Sequence, residues 1–237
     1  ILENYPVNPD RIRVIHRGVD FDRFDPKRVS AERIIRLSRE WRLPDGVPVV
    51  LLPGRLTGWK GQRVLIEALA KLPDRQIRCL LVGSDQGRDG FRKSLVELAQ
   101  RLNVEDVVHI VGECRDMPAA YMLADVVVSA STDPEGFGRV MVEAQAMGRP
   151  IIASDHGASR EIVRHGNTGW LFPPGDVRRL SESIAHAIQL SVEHRQRIAE
   201  EAIANARENF AVTRMCNATL DVYRELLNEP VANASIG

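Results

Sequence analysis

The 237-residue chain has little that would mark it for export, for a metal or for nucleic acid. It holds only three cysteines, Cys79, Cys114 and Cys216, far apart and without a C-x-x-C spacing. That excludes a disulfide framework and a thiolate zinc site, and reads as reduced thiols in a cytosolic protein. Charge of neither sign prevails: Lys plus Arg and Asp plus Glu both total 32. A generic nucleic-acid binder carries a basic excess that is missing here. No run approaches the ~18 apolar residues of a membrane span, and no signal peptide is recognisable. Two phosphate-binding fingerprints are absent as well. In Gly54-Arg-Leu-Thr-Gly-Trp-Lys60, Trp59 stands where a Walker A loop needs its second glycine, and no G-x-G-x-x-G follows any expected strand. None of the six histidines pairs with a nearby Ser, Cys or Asp in a triad-like order, so a hydrolase has no support.

What remains is an ordinary globular composition, 44% hydrophobic, with strands and helices in alternation. The expected strands are Arg11–His16, Pro48–Leu52, Ile77–Val82, Val107–Val111, Val126–Ala130, Ile151–Ala153 and Gly169–Phe172. Helices are expected over 30–43, capped by Ser30 with Ile34, Ile35, Leu37, Ser38 and Trp41 inward, and over 62–71, 91–102 and 117–123. Another is expected after Gly138, and the chain is helical from Val177 onward with breaks near Ser191 and Asn209. This cadence predicts an α/β fold, a Rossmann-like doubly wound parallel sheet with a helical C-terminal tail.

The centre of the chain is Ser131–Met147, between a β-branched strand and the helix stop Gly148-Arg-Pro150. Glu135, Gly136, Phe137 and Gly138 fall where strand gives way to helix. Glycines there let backbone approach a ligand, and the unpaired first-turn N–H groups attract an anion. Glu135 and Glu143 are eight residues apart, ~12 Å if all were helix. Two readings stay open on spacing alone. Glu143 pairs with Arg139 at i, i+4 while Glu135 meets the helix dipole, or the two acids hold the two ends of a nucleotide diphosphate sugar.

Glu135 to Pro150, in the form E-G-F-G-x-x-x-x-E-A-x-A-x-G-x-P, resembles the donor-site signature of the retaining GT-B glycosyltransferases of family 4, the group 1 glycosyl transferases. The resemblance runs from about Arg11 to Tyr223. It includes Arg13-Val-Ile-His-Arg-Gly-Val-Asp20, Pro53-Gly-Arg-Leu-Thr-Gly-Trp-Lys-Gly61, Leu80-Leu-Val-Gly83, Val111-Gly112, Ala124-Asp125 and Gly166-Asn-Thr-Gly-Trp-Leu-Phe-Pro-Pro174. It implies one half of a GT-B fold. Residues 10–210 would be the nucleotide-sugar-binding domain, and 1–9 the remnant of an inter-domain connection. Residues 211–228 would be a helix crossing to an N-terminal domain outside this chain, and 229–237 a tail.

The resemblance also implies roles. Glu135 would bond the transferred sugar, and Arg55 and Lys60 would clamp the diphosphate, their charge offsetting that of the departing nucleotide. Gly54, Gly136, Phe137, Gly138, Arg139 and Val140 would line the donor, and Glu143 would accept from the ribose. Arg17, Gly83, Cys114 and Arg115 are further donor-side candidates. Asp20-Phe-Asp22 matches D-x-D, but in a Gly-Val-Asp turn it is read as a turn, so no metal and no cofactor is expected. The sequence departs from the family at His16-Arg17, where Pro-Asn is commoner, and at Ala158, which replaces a glycine in Gly157-Ala-Ser-Arg-Glu161.

The implied activity is sugar transfer from a nucleotide diphosphate sugar to an acceptor glycan or lipid in cell-envelope glycan or glycolipid synthesis. The implied location is the cytoplasm, peripheral to the membrane in the full-length protein. The acceptor would contact mainly the other domain, so a fragment beginning at Ile1 is expected to be inactive alone. The apolar stripe of Val212–Leu227 is expected to favour self-association. The alternatives are a non-catalytic nucleotide-sugar-binding module, or an epimerase or phosphorylase on the same fold.

Overall fold

The computed structural model describes residues 6–87 and 89–227. The expected remnant 1–9 and tail 229–237 therefore lie partly or wholly outside the described residues. Six strands form one parallel sheet: β1 (Val49–Pro53), β2 (Arg78–Val82), β3 (Val108–Gly112), β4 (Val126–Ser129), β5 (Ile151–Ser154) and β6 (Gly169–Phe172). Their order is β3-β2-β1-β4-β5-β6. The register runs from Val49 opposite Arg78 to Pro53 opposite Val82, and sets Val50 opposite Val126.

Both faces of the sheet are covered, which is why β1, β4 and β5 are buried along their whole length and read as unbroken apolar runs. Alternate residues serve separate cores. Val49 and Leu51 face one core with α1 (Ala31–Glu40), α4 (Met117–Leu123), α5 (Arg139–Ala146) and α8 (Val192–Phe210). Val50 and Leu52 face the other with α2 (Gln62–Leu69), α3 (Asp89–Arg101) and α7 (Val177–Ile188). A one-residue slip of β1 would exchange the two sets.

Capping residues set several of the boundaries. The side chains of Ser30, Asp116, Asp176 and Ser191 accept from first-turn N–H groups of α1, α4, α7 and α8. The short α6 (Ser159–Ile162) and the last helix α9 (Val212–Leu226) complete the set.

Two expectations need correction. Arg11–His16 is not a strand: it runs irregularly across the surface, Val14 is 80% exposed, and the first pairing comes only after the run, as an isolated bridge from Val19 to Ala211. Its apolar alternation finds no sheet edge to pair with, and a strand is defined by that pairing. Ile35, assigned to the buried side of α1, is 49% exposed, whereas Leu37 and Trp41 are buried.

On α9 no residue is buried; Tyr223, Leu226 and Leu227 of the expected apolar stripe are exposed, as is Leu220, while Met215 and Val222 are half-buried. Among the described residues, no helix is long and apolar enough to cross a membrane.

Candidate functional site

The chain reverses its direction of travel through the sheet between β1 and β4, which are neighbours though far apart in sequence. In open parallel sheets the crevice at the carboxyl ends of such a pair is where ligands bind. The loops leaving these two strands carry Gly54–Gly61 and Ser131–Gly138, and between them opens a cleft of about 650 Å³. Arg17, Arg55, Trp59, Lys60, Glu135 and the first turn of α5 line it.

Close backbone contact holds the two loops together. Thr132 N–H donates to the Trp59 carbonyl at 2.7 Å. Gly61 has a left-handed backbone, φ 76°, and a Cβ there would lie 1.8 Å from the Ala130 carbonyl oxygen, so only glycine fits. Gln62, fully buried, donates to the Arg55 carbonyl at 2.8 Å and fixes the loop from behind.

Gly138, also left-handed at φ 75°, is the N-cap of α5, whose first N–H groups receive no side-chain capping hydrogen bond. Its own place is tight, since an added Cβ would meet the Met141 side chain. The first turn of α5, with its backbone N–H groups, and the cations Arg55 and Lys60 therefore line one space, a favourable field for a dianion.

The acids are already partnered. Lys60 Nζ lies 2.8 Å from Glu135 Oε1, with side chains 15% and 16% exposed. The Ser131 hydroxyl donates to the same carboxylate oxygen. Lys60 also lies over the Trp59 ring, 4.3 Å from its centroid. Glu143 Oε1 takes Arg139 Nη2 at 2.9 Å and its Oε2 takes the Tyr121 hydroxyl at 2.8 Å. His16 Nε2 meets Glu161 Oε2 at 2.7 Å across the rim. Arg55 and Arg17 make no ion pair among the described residues.

Glu135 precedes the helix by four residues, so the ~12 Å helical spacing to Glu143 does not apply, and Glu135 is no first-turn acid. The i, i+4 pairing of Arg139 with Glu143 does form.

The structure brings Arg17, Arg55, Lys60, Glu135, Gly136, Phe137, Gly138, Arg139 and Val140 to one cleft. Gly54 lies behind Lys60, where an added Cβ would touch that side chain at 3.6 Å. Glu143 is buried on α5 and does not line the cleft. Gly83 is a packing residue: a Cβ there would come within 2.0 Å of the Gly54 carbonyl. Cys114 is half-buried against the core, and burial raises its thiol above the ordinary range, opposite to an activated thiolate. Arg115 opens on a separate pocket of about 380 Å³ with Asp22, Arg33 and Asp116. Asp20 spends its carboxylate on the N–H groups of Asp22 and Arg23, a turn. Among the described residues no three His, Cys, Asp or Glu converge as metal ligands would.

Three features were not read from the sequence. Tyr121, fully buried on α4, donates to Glu143. The buried amides Gln145 and Asn205 bond each other at 2.7 Å and both reach the Ile162 carbonyl, tying α5, α6 and α8 together. The Gly157-Ala158 segment clamps the Glu135 peptide, with Ala158 N–H on the Glu135 carbonyl at 3.2 Å. That contact uses backbone, so alanine serves where the family has glycine. Only the polar residues at core positions of Tyr121, Gln145 and Asn205 hinted at these contacts.

A two-sided parallel α/β sheet with a cationic cleft at its strand reversal is the Rossmann-like architecture of GT-B glycosyltransferases. The chain itself belongs to the family described as glycosyl transferases group 1, which matches residues 34–205. The D-inositol 3-phosphate glycosyltransferase of Corynebacterium glutamicum is 31% identical over 100% of this chain and 56% of its own length. A glycosyltransferase from Rickettsia africae superposes with a TM-score of 0.93 at 34% identity, over 97% of this chain and 61% of that one. Anabaena Alr3699/HepE, solved in complex with UDP and glucose, gives 0.84 at 32% identity, over 92% and 58%. The chain spans little more than half the length of these relatives.

Proposed function

We propose that the chain is the donor-binding half of a retaining glycosyltransferase of family 4, which transfers a sugar from a nucleotide diphosphate sugar to a glycan or lipid acceptor of the cell envelope. The observation that carries this reading is the convergence of Arg55, Lys60, Glu135 and the uncapped start of α5 on one cleft. The cations and helix N-terminus would take the diphosphate, with Arg17 adding charge from the rim, and Glu135 would take the sugar hydroxyls. Phe137 and Gly138 would offer backbone N–H groups, and Glu143 would accept from the ribose once Arg139 swings aside. Leaving-group charge is met by Arg55 and Lys60, so the reading needs no metal. Glu135, already hydrogen-bonded and paired, suits a group that orients the sugar better than a free nucleophile. Two relatives named as glycosyltransferases, and a structural neighbour solved with UDP and glucose, support the donor class.

Residues 10–210 make up the donor domain in this reading, and α9 would pack on an N-terminal acceptor domain. The chain alone would therefore bind donor but not transfer, because transfer needs both substrates held in reacting geometry. The protein would work in the cytoplasm at the membrane surface. The test is product analysis of the full-length protein with UDP-, GDP- and ADP-glucose under a chelator. Transfer with the donor's anomeric configuration kept supports the reading. Inversion, or activity restored only by Mg²⁺ or Mn²⁺, contradicts it.

A further inference from the structure

One cation of the cleft is balanced by an acid, and that pairing bears on which ligand the cleft holds and which it releases. Lys60 and Glu135 are in direct contact at 2.8 Å with side chains only 15% and 16% exposed, so little water screens them. The Ser131 hydroxyl donates to the same carboxylate oxygen that Lys60 contacts, and the Ala158 N–H donates to the Glu135 carbonyl. Glu135 is therefore held in place and cannot turn away from whatever anion approaches Lys60. Arg55 stands on the same cleft and makes no ion pair among the described residues, so the two cations are not equivalent. An anion arriving at Arg55 meets an unopposed charge, whereas one arriving at Lys60 also meets the Glu135 carboxylate.

On the donor-site reading above, on which this inference rests, the two ligands of the cleft differ in the group offered to Glu135. A sugar nucleotide presents hydroxyls, which donate to the carboxylate and replace what Lys60 gives up to phosphate. A bare nucleoside diphosphate presents a terminal phosphate instead. That phosphate has a second ionisation near pH ~6, which esterification by the sugar removes, so the spent nucleotide is the more anionic of the two. It also leaves the neighbouring carboxylate with no donor in place of Lys60. An acid and a phosphate then face each other in a partly dry cleft, the costly arrangement.

We propose that the Glu135–Lys60 pair discriminates between intact donor and spent nucleotide, admitting a sugar nucleotide and re-forming to expel the nucleoside diphosphate once the sugar has left. Glu135 thus has a second role beyond sugar contact, as the charge that weakens product retention.

The test is calorimetric titration of the 237-residue chain and its Glu135→Gln variant with UDP and with UDP-glucose, repeated with the GDP and ADP pairs. Gln keeps the shape and can still accept from Ser131, but it removes the charge. The inference expects Glu135→Gln to bind the nucleoside diphosphate more tightly than wild type, by about three- to tenfold for loss of one partly buried like charge. It also expects weaker binding of the sugar nucleotide. Glu135→Ala, with a wild-type melting temperature as the check on folding, moves the nucleoside diphosphate affinity the same way. Wild type binding UDP, GDP or ADP while both variants bind it equally or more weakly overturns the inference and leaves the donor site standing. Failure of wild type to bind any of the three, with or without sugar, overturns the donor-site reading and the inference together.

Discussion

The Tyr121 hydroxyl donates to Glu143 Oε2 at 2.8 Å from a position with no solvent exposure. Burial, with the Glu143 charge next, pushes the tyrosine well above its ordinary pKa, so it stays a donor throughout the working range. Arg139 holds the other oxygen, so both oxygens of the Glu143 carboxylate on α5 have a donor.

Removing that donor by Tyr121→Phe keeps the ring and leaves Glu143 one bond short. The expected loss is about 1–3 kcal/mol of stability, the scale of a hydrogen bond to a charged group. If Glu143 accepts from ribose, nucleotide affinity falls too, and Glu143→Gln falls further. Chemical denaturation and titration with nucleoside diphosphate measure the two effects. A variant as stable as wild type would show that the bond contributes nothing.

Asp116 caps α4 and is gripped by the Arg33 guanidinium, whose hydrogen bonds hold its carboxyl below the usual range. A depressed folded-state pKa means stability that is complete above the unfolded value and lost as pH falls through the folded one. Asp116→Asn keeps the cap and deletes the charge, so at neutral pH it should cost about 1 kcal/mol, for a pair that is partly exposed. The gap should begin to close near pH ~4 and vanish below the folded-state value. Melting curves of both proteins from neutral pH downward check the sign. A gap that widens in acid contradicts the assignment.

Gly61→Ala tests the junction of the two loops. The left-handed backbone and the Ala130 carbonyl at 1.8 Å from any Cβ leave no room, so a loss of at least about 2 kcal/mol is expected. Urea denaturation measures it. A wild-type midpoint would mean that the Gly54–Gly61 and Ser131–Gly138 loops are not locked as described.

The sheet was legible because buried parallel strands are written as apolar runs, as in Val49–Leu52 and Val126–Val128, and the first helix because its capping residue Ser30 announces it. The Arg11–His16 run was misread since apolar alternation says nothing of whether a neighbour exists to pair with. In the site, glycines and charges at strand ends were visible as candidates. The pairing of Lys60 with Glu135, Tyr121 with Glu143 and His16 with Glu161 was not, because each joins segments far apart in the chain. Spacing within one segment also suggested a helical separation for Glu135 that the late start of α5 removes.

If Arg55 and Lys60 receive a diphosphate, one titration shows it directly. The wild-type chain and the Arg55→Ala, Lys60→Ala double variant are titrated with UDP-, GDP- and ADP-glucose under a chelator, at low and at physiological salt. Wild type should bind at least one donor saturably, more tightly at low salt, while the double variant loses both the affinity and most of the salt dependence. Binding that survives the double substitution, or that no donor shows in wild type, would contradict it.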